Sequence, residues 1–395
     1  MNTNKISLVK DALKDENLDG WLFADFHNRD EIAYSVLGIS PHGLTTRRWF
    51  YFIPITGEPT KIVHKIESSK LDSLPGQTVT YASYEELNAH LKSILDDTSS
   101  VAMQYSPMSN IPTVSLVDGG TIDLVKSFGV EIKSSANLVQ AFEASVNIEG
   151  REMHYRASVE INDILLQSFK KIKESVDTNS NLTEYDIFTF ILQEFENRNM
   201  TCDNIFPIVA INEHASDPHF EVSEKNAKIF KTGDRVMIDL WAKHNSPNGI
   251  FYDITWCAYI GDNPPEQYIE MFDTVVLARD KALNLIKSRY SEGKDIYGWE
   301  VDEVARNHIN EAGYGEFFTH RTGHSINKNV HGNGVNMDNL ETKDERKIVP
   351  GCCFSIEPGI YLAPYGVRSE INVLIHPESG KVEVFGDKQN KLLLL

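Results

Sequence analysis

The sequence predicts two domains, an α/β domain at the N-terminus and an α+β domain after it. Three observations carry this reading. The chain has 395 residues, and at one domain per roughly 100–200 residues the natural count is two. Helix and strand patterns alternate through residues 1–143, as an α/β layer structure requires. After them, a run of two helices followed by strands occurs twice, which suggests two similar halves. Hydrophobic residues make up 41% of the chain and aromatic ones 10%. That supports a sizeable core and excludes a disordered, collagen-like or low-complexity protein.

In order, residues 4–16 read as a helix, 20–26 and 48–54 as strands, 84–95 as an amphipathic helix and 101–105 as a short apolar strand. This part shows no metal-ligand cluster and no glycine-rich phosphate loop. The boundary falls within 141–150, and we divide the chain into 1–143 and 144–395. A long helix is expected over 151–174 and another over 183–200, with Thr183 as N-cap and Asp186 three residues on. Residues 204–260 are rich in strands and turns. Residues 264–288 form a helix with Ile269, Phe272, Val276, Leu283 and Ile286 on one face. A further helix over 299–312 stops at Gly313, and 317–395 is mostly strand and turn.

Charge narrows the function classes. Thirty-eight Lys and Arg stand against 57 Asp and Glu, a net charge of −19. A nucleic-acid binder needs a basic footprint, so none is expected, and a polybasic membrane-surface protein is disfavoured equally. The first residues, MNTNKISLVKDALKDENLDG, carry no uninterrupted apolar h-region, and no stretch approaches the ~20 apolar residues of a membrane span. The expectation is a soluble cytoplasmic protein. Cys202, Cys257, Cys352 and Cys353 include no C-x-x-C pair. Buried free thiols in a reducing compartment are expected, and a thiolate zinc site is not.

Three features carry chemistry. Residues 235–241 (RVMIDLW) alternate, with Asp239 on the face opposite Val236, Ile238 and Leu240, and 250–259 (IFYDITWCAY) return after the turn at 245–249. A hairpin centred on Ser246 would pair Asp239 with Asp253 at a Cβ separation of about 5 Å. Carboxylates that close need a cation or a shared proton, unless both face solvent. Second, His320, His324 and His331 fall within 12 residues. Neutral imidazoles suit zinc, manganese, cobalt or iron, although isolated histidines would read as surface or core residues. Third, Glu357 and Glu370 sit on apolar strands where an unpaired carboxylate is costly. Arg368, two residues before Glu370, could answer one of them. Two Asp, one His and two Glu suffice to build one carboxylate-bridged two-metal site, with metals roughly 3.5–4 Å apart.

With these residues in view, the motifs IDLWAK, FYDIT, HRTGHSINKNVHG, SIEPGIY and GVRSE resemble those of the pita-bread metallopeptidases. That family comprises aminopeptidase P, prolidase and, more distantly, methionine aminopeptidase and creatinase. The resemblance covers the whole chain. It implies a creatinase-like α/β domain over 1–143 and an α+β pita-bread catalytic domain with a pseudo-two-fold repeat over 144–395. Carried over, Asp239 resembles the chelating ligand of one metal. Asp253 and Glu370 resemble the bridging carboxylates. His324 and Glu357 resemble the remaining ligands of the second metal, and Glu357 would also take the proton of a bridging hydroxide nucleophile. His219 resembles the histidine that stabilises the tetrahedral intermediate, and His331 a substrate-contacting histidine. His320 and Arg368 match outer positions that orient the ligands.

The implied activity is hydrolysis of the bond between an N-terminal residue and proline, with two divalent cations, manganese first and zinc, cobalt or iron as alternatives. The implied partner is a small peptide with proline second, in a homodimer. Dipeptidase and aminopeptidase action both stay open. So do a lyase or C–N hydrolase acting on a small non-peptide substrate in the same fold, and a non-catalytic binding module. Two departures bear on the substrate. Thirteen residues separate Asp239 from Asp253, longer than the common pattern. Gly332 follows His331, where peptidases of the family commonly carry Glu.

Overall fold

The computed structural model describes Met1 and residues 3–395. The chain forms two compact units, Met1–Glu143 and Ala144–Leu395, each with its own apolar core.

The first unit contains strands β1 (Gly20–Asp25), β2 (Trp49–Pro54), β3 (Thr60–His64), β4 (Gln77–Tyr81), β5 (Ser100–Met103) and β6 (Glu131–Ser134). Its helices are α1 (Thr3–Asp15), α2 (Glu31–Leu37), α3 (Tyr84–Ile94), α4 (Gly119–Lys126) and α5 (Ala136–Val139). The strands form one sheet in the order β4-β3-β2-β1-β5-β6. Only β2 runs against its neighbours. All six residues of β1 are buried, yet they serve two cores because side chains alternate along a strand. Trp21 and Phe23 pack with Val9 and Leu13 of α1 and Val36 of α2. Leu22 and Ala24 pack on the opposite face with Leu87 and Leu91 of α3 and Val125 of α4. Helices α2 and α4 and strands β3, β4 and β6 have too short a pattern to stand out in the sequence.

The second unit begins with α6 (Ile148–Asp177) and α7 (Glu184–Asn197). Asn147 caps α6 by accepting from the Gly150 N–H at 2.8 Å. Thr183 and Asp186 form the reciprocal capping box of α7. The expected helix over 183–200 ends earlier, because Met200 and Thr201 leave as β7 and pair with β9. Strands β8 (Ile208–Ile211), β9 (Arg235–His244) and β10 (Tyr252–Tyr259) follow, then α8 (Glu266–Ser291) and α9 (Gly298–Glu311). The chain closes with β11 (Cys353–Ile356), β12 (Gly359–Leu362), β13 (Tyr365–Arg368), β14 (Ile371–Ile375), β15 (Val382–Phe385) and β16 (Leu393–Leu394). The order of two helices then strands therefore recurs. One sheet runs β16-β10-β9-β7 with β8 also on β9, a second runs β11-β14-β15, and β12 pairs with β13.

Two details correct the sequence reading. Ile269 is 37% exposed, while Phe272, Val276, Leu283 and Ile286 are buried. It sits one turn into α8, at the edge of the apolar stripe. In the β9–β10 hairpin, Asp239 pairs with Thr255, and Asp253 pairs with Trp241. The turn is therefore centred on Pro247, one residue later than expected. Moving the centre by one moves each partner by two, so Asp253 stays on the Asp239 face as its diagonal neighbour. All four cysteines are free and buried. Among the described residues, no helix is long and apolar enough to cross a membrane.

Candidate active site

The β9–β10 pair presents Asp239, Asp253 and Thr255 on one face. The Asp253 N–H donates to Asn372 Oδ1 at 2.8 Å, which ties β10 to β14. The Thr255 hydroxyl donates to Glu370 Oε2 at 2.9 Å and accepts from Arg368 Nε at 3.1 Å. Glu370 returns its own N–H to the Thr255 carbonyl at 3.3 Å. Thus one threonine orients a carboxylate and a guanidinium that the β13–β14 turn brings up from below.

The histidine segment reaches the same place through close backbone packing. A Cβ on Gly323 would lie 2.0 Å from the Ser355 carbonyl oxygen, so only glycine allows the segment to lie against β11. The His324 N–H then donates to Ser355 Oγ at 2.9 Å, and that hydroxyl donates to Glu357 Oε1 at 3.0 Å. From behind, Asp302 of α9 accepts from the Thr322 N–H at 2.9 Å and the Thr322 hydroxyl at 2.7 Å. Gly366 has a similar role, since a Cβ there would lie 1.9 Å from the Ala215 carbonyl oxygen. This lets the 212–220 segment lie on β13, and Arg368 Nη1 donates to the Pro218 carbonyl at 3.3 Å.

These elements converge. Ligand-type atoms of Asp253, His324 and Glu370 all lie within 4.8 Å of one another. His324 Nε2 is 3.1 Å from Glu357 Oε1 and 3.6 Å from Asp253 Oδ2. Its Nδ1 faces the Ser325 carbonyl at 3.2 Å; a carbonyl only accepts, so the proton belongs on Nδ1 and the Nε2 lone pair faces the carboxylates. Asp239 pairs with Arg368, whose Nε is also 4.0 Å from Glu357 Oε2. Asp239, Asp253, His324, Arg368 and Glu370 are all buried.

Around this cluster, Arg368 Nη1 donates to the Tyr361 hydroxyl at 3.0 Å, and that hydroxyl lies 2.7 Å from His320 Nε2. His320 Nδ1 donates to the Arg321 carbonyl at 2.7 Å. Burial holds the His320 imidazole down to about 4, so it is neutral and accepts from Tyr361. The His331 ring meets the His324 ring at 4.4 Å, steeply tilted. His331 and His219 are exposed, and His219 is close enough to act electrostatically on His331. They form the rim, and the carboxylates the floor.

The floor is electrostatically incomplete. Burial raises the Asp253 carboxyl well above its ordinary value, and the charges of Asp239 and Glu357 add to this. Burial also raises Glu370, reinforced by Asp253, Glu357 and Asp239. Burial raises Asp239 although Arg368 opposes it. Burial acts the same way on Glu357; a protonated His324, followed by Arg368, would outweigh it and hold that carboxyl below its usual range, and with Nε2 unprotonated Arg368 is the cation that opposes it. One arginine therefore serves four carboxylates. Asp239 Oδ1, Asp253 Oδ1 and Glu370 Oε1 are buried without any hydrogen-bond partner. Buried orphan carboxylate oxygens are costly, and three beside an imidazole lone pair fit hard divalent cations.

A model of metallopeptidase family M24 matches residues 153–377. The chain belongs to this family. Over 175 residues it is 34% identical to a Xaa-Pro dipeptidase of Pyrococcus horikoshii, a match covering 44% of this chain and 45% of that protein. The match therefore spans less than half the length of that M24 relative. A prolidase from Thermococcus sibiricus has a TM-score of 0.64 at 21% identity, with 100% of both chains covered. An X-prolyl aminopeptidase from Caenorhabditis elegans, described as a cytosolic enzyme with a di-nuclear active site, has a TM-score of 0.63 at 16% identity over 98% of this chain and 61% of that one. The M24 chain thus has the pita-bread fold of the prolidases.

Asp239, Asp253, His320, His324, His331, Glu357, Arg368 and Glu370 come together in this one cluster, with His219 close to His331. Sequence reasoning missed Thr255, Tyr361 and Asp302. Thr255 had a legible signal, since it lies two residues after Asp253 on an alternating strand. Tyr361 had none, because its reach to Arg368 depends on the β12–β13 pairing that sets Gly359 against Arg368. Gly332 packs tightly too: a Cβ there would meet Ser325 Oγ at 3.0 Å and Asn327 Cγ at 3.1 Å. A larger residue would have to displace both.

Proposed function

We propose that this chain is a dinuclear metal-dependent peptidase that hydrolyses the bond between an N-terminal residue and proline. The observation that carries the proposal is the set of three orphan carboxylate oxygens on Asp239, Asp253 and Glu370 beside the His324 lone pair, in an M24 chain. In this reading the catalytic domain is 144–395, and 1–143 is the creatinase-like domain. Asp239, Asp253, His324, Glu357 and Glu370 would hold two divalent cations.

When bound, such cations polarise a carbonyl and lower the pKa of water to near neutrality. The remaining work falls to this chain's side chains. The Arg368 guanidinium, 4.0 Å from Glu357 Oε2, favours the ionised form of that carboxyl, and its Oε2 would take the proton of the attacking water. Arg368 keeps Asp239 ionised and oriented through their ion pair. The Tyr361 hydroxyl accepts from Arg368 and donates to neutral His320, so the arginine cannot swing into the site. His219 and His331 at the rim meet the substrate and steady the oxyanion that develops on the scissile carbonyl. The substrate assignment is drawn from the Xaa-Pro dipeptidase likeness.

Metal analysis paired with a peptide panel tests the proposal. The expected result is about two divalent ions per chain and cleavage of Xaa-Pro or Xaa-Pro-Xaa peptides, with no cleavage of matched peptides lacking proline. A protein that binds no metal, or that cleaves the controls equally well, would refute it.

A further inference from the structure

The mechanism uses nothing from Met1–Glu143, yet that unit holds a cleft of about 530 Å³, within the ~300–1,000 Å³ usual for small-molecule sites. Its position is informative. Strands β1, β3, β4, β5 and β6 share one direction, and the cleft sits at the carboxyl end of β1, against Ala24 and Asp25. Ligands of open α/β sheets bind in crevices at that end. The first residues of α3 (Tyr84) and α4 (Gly120, Thr121) also line it, so two helix N-termini direct partial positive charge into the space.

The polar groups on the wall fall into committed and free sets. Asp25 is committed: it accepts from the N–H groups of Asn28, Arg29 and Asp30 and from the Tyr34 hydroxyl. Asp118 is committed to the Thr121 N–H and hydroxyl. Arg29 and Arg48 are free of acidic partners among the described residues; Arg29 only lies over the Phe26 ring at 5.6 Å. Asp30 is 1% exposed. Its Oδ1 caps α2 by accepting from the Ala33 N–H at 2.8 Å, while its Oδ2 is buried with no partner. Burial first, and then the Asp25 charge against the Ala33 hydrogen bond, push the Asp30 carboxyl up to about 7, which an adjacent cation would reverse.

We propose that this cleft binds a small zwitterion, an amino acid or short peptide with an apolar body. A simple anion would satisfy Arg29 and Arg48 and leave Asp30 Oδ2 orphaned. A simple cation would satisfy Asp30 and leave the arginines and helix ends unanswered. A carboxylate on the arginines, an ammonium toward Asp30 Oδ2 and an apolar side chain against Phe26 and Phe50 answers all of them. The site is additional to the carboxylate cluster.

Isothermal titration of the full chain with L-phenylalanine tests this, with N-acetyl-L-phenylalanine and L-phenylalaninamide as probes lacking one pole each. Wild type and Asp253→Ala should bind L-phenylalanine equally. The Arg29→Gln/Arg48→Gln double variant should bind at least about tenfold more weakly, as should Asp30→Asn, which keeps the helix cap. Each blocked derivative should lose about tenfold as well. Unchanged binding by the arginine variant would overturn the proposal, as would loss of binding in Asp253→Ala or no heat at millimolar ligand. N-acetyl-L-phenylalanine binding as tightly as the free amino acid would overturn the ammonium pole and leave an anion site. Circular dichroism of each variant separates lost binding from lost folding.

Discussion

At the scale of the residue, the site is a problem of three buried carboxylates, a fourth half-buried one and one guanidinium, and each neighbour's role follows from which oxygen it satisfies. Asp253 and Glu370 receive the least compensation, so they depend most on a cation. Asp253→Ala or Glu370→Ala should abolish both metal occupancy and turnover, as read by metal analysis beside a peptidase assay; full activity in either variant would exclude a two-metal site. Thr255 touches only the orienting bonds to Glu370 and Arg368. Thr255→Val should therefore weaken metal affinity about 10–100-fold, the usual cost of losing a bond that orients a ligand, while the protein stays folded. His331 reaches the rim and not the floor. His331→Ala should leave metal content near wild type and lower kcat/KM.

At the scale of the element, the floor depends on loops fixed from behind. Asp302 of α9 pairs with Arg306 and holds Thr322 and the Asn339 N–H. It is fully buried. Removing one partner of such a pair leaves the other charge uncompensated, at about 3–5 kcal/mol. Asp302→Ala should lower the unfolding free energy read from denaturant titration by up to that order and loosen metal binding as well, because Thr322 is two residues from His324. The β9–β10 hairpin shows a different robustness. Its tip is a residue out of the expected register, yet the carboxylates keep their face, because strand periodicity tolerates shifts by two.

At the scale of the whole molecule, two units with separate cores and the one proposed metal site predict a divided response to ligand. Added divalent metal should raise only the thermal transition of 144–395, since a ligand stabilises the state that binds it. Calorimetry with and without chelator would show this, and an equal shift of every transition would contradict it. The same unit should be acid-sensitive through His154. That imidazole is fully buried, donates from Nδ1 to the Phe251 carbonyl at 2.6 Å, and is held down to about 4 by burial. The unfolded state takes up this proton near pH ~6.5, before the native state does. Stability from this group is thus present above pH ~6.5 and is lost as pH falls toward 4, by ~3 kcal/mol in all. His154→Gln should flatten that part of the stability profile in denaturant titrations.

Much of the candidate site was legible in the chain because its proposed ligands are residue types that apolar strands do not carry without cause. Asp239, Asp253, Glu357 and Glu370 stand out on hydrophobic segments, and His320, His324 and His331 are crowded. Periodicity alone determined the two-domain division into alternating and repeated patterns, and the face on which Asp239 lies. Only the tertiary structure decided that Arg368 answers Asp239 and not its sequence neighbour Glu370, since β13 ends at Arg368 and the chain turns before β14. The same is true of Tyr361 and Thr255, whose partners lie on other strands, and of the free arginines at the end of β1. Alternation within a strand is a local property of the backbone. Which strand stands opposite depends on sheet pairing and on glycines that allow backbones to touch, and neither leaves a periodic trace in the sequence.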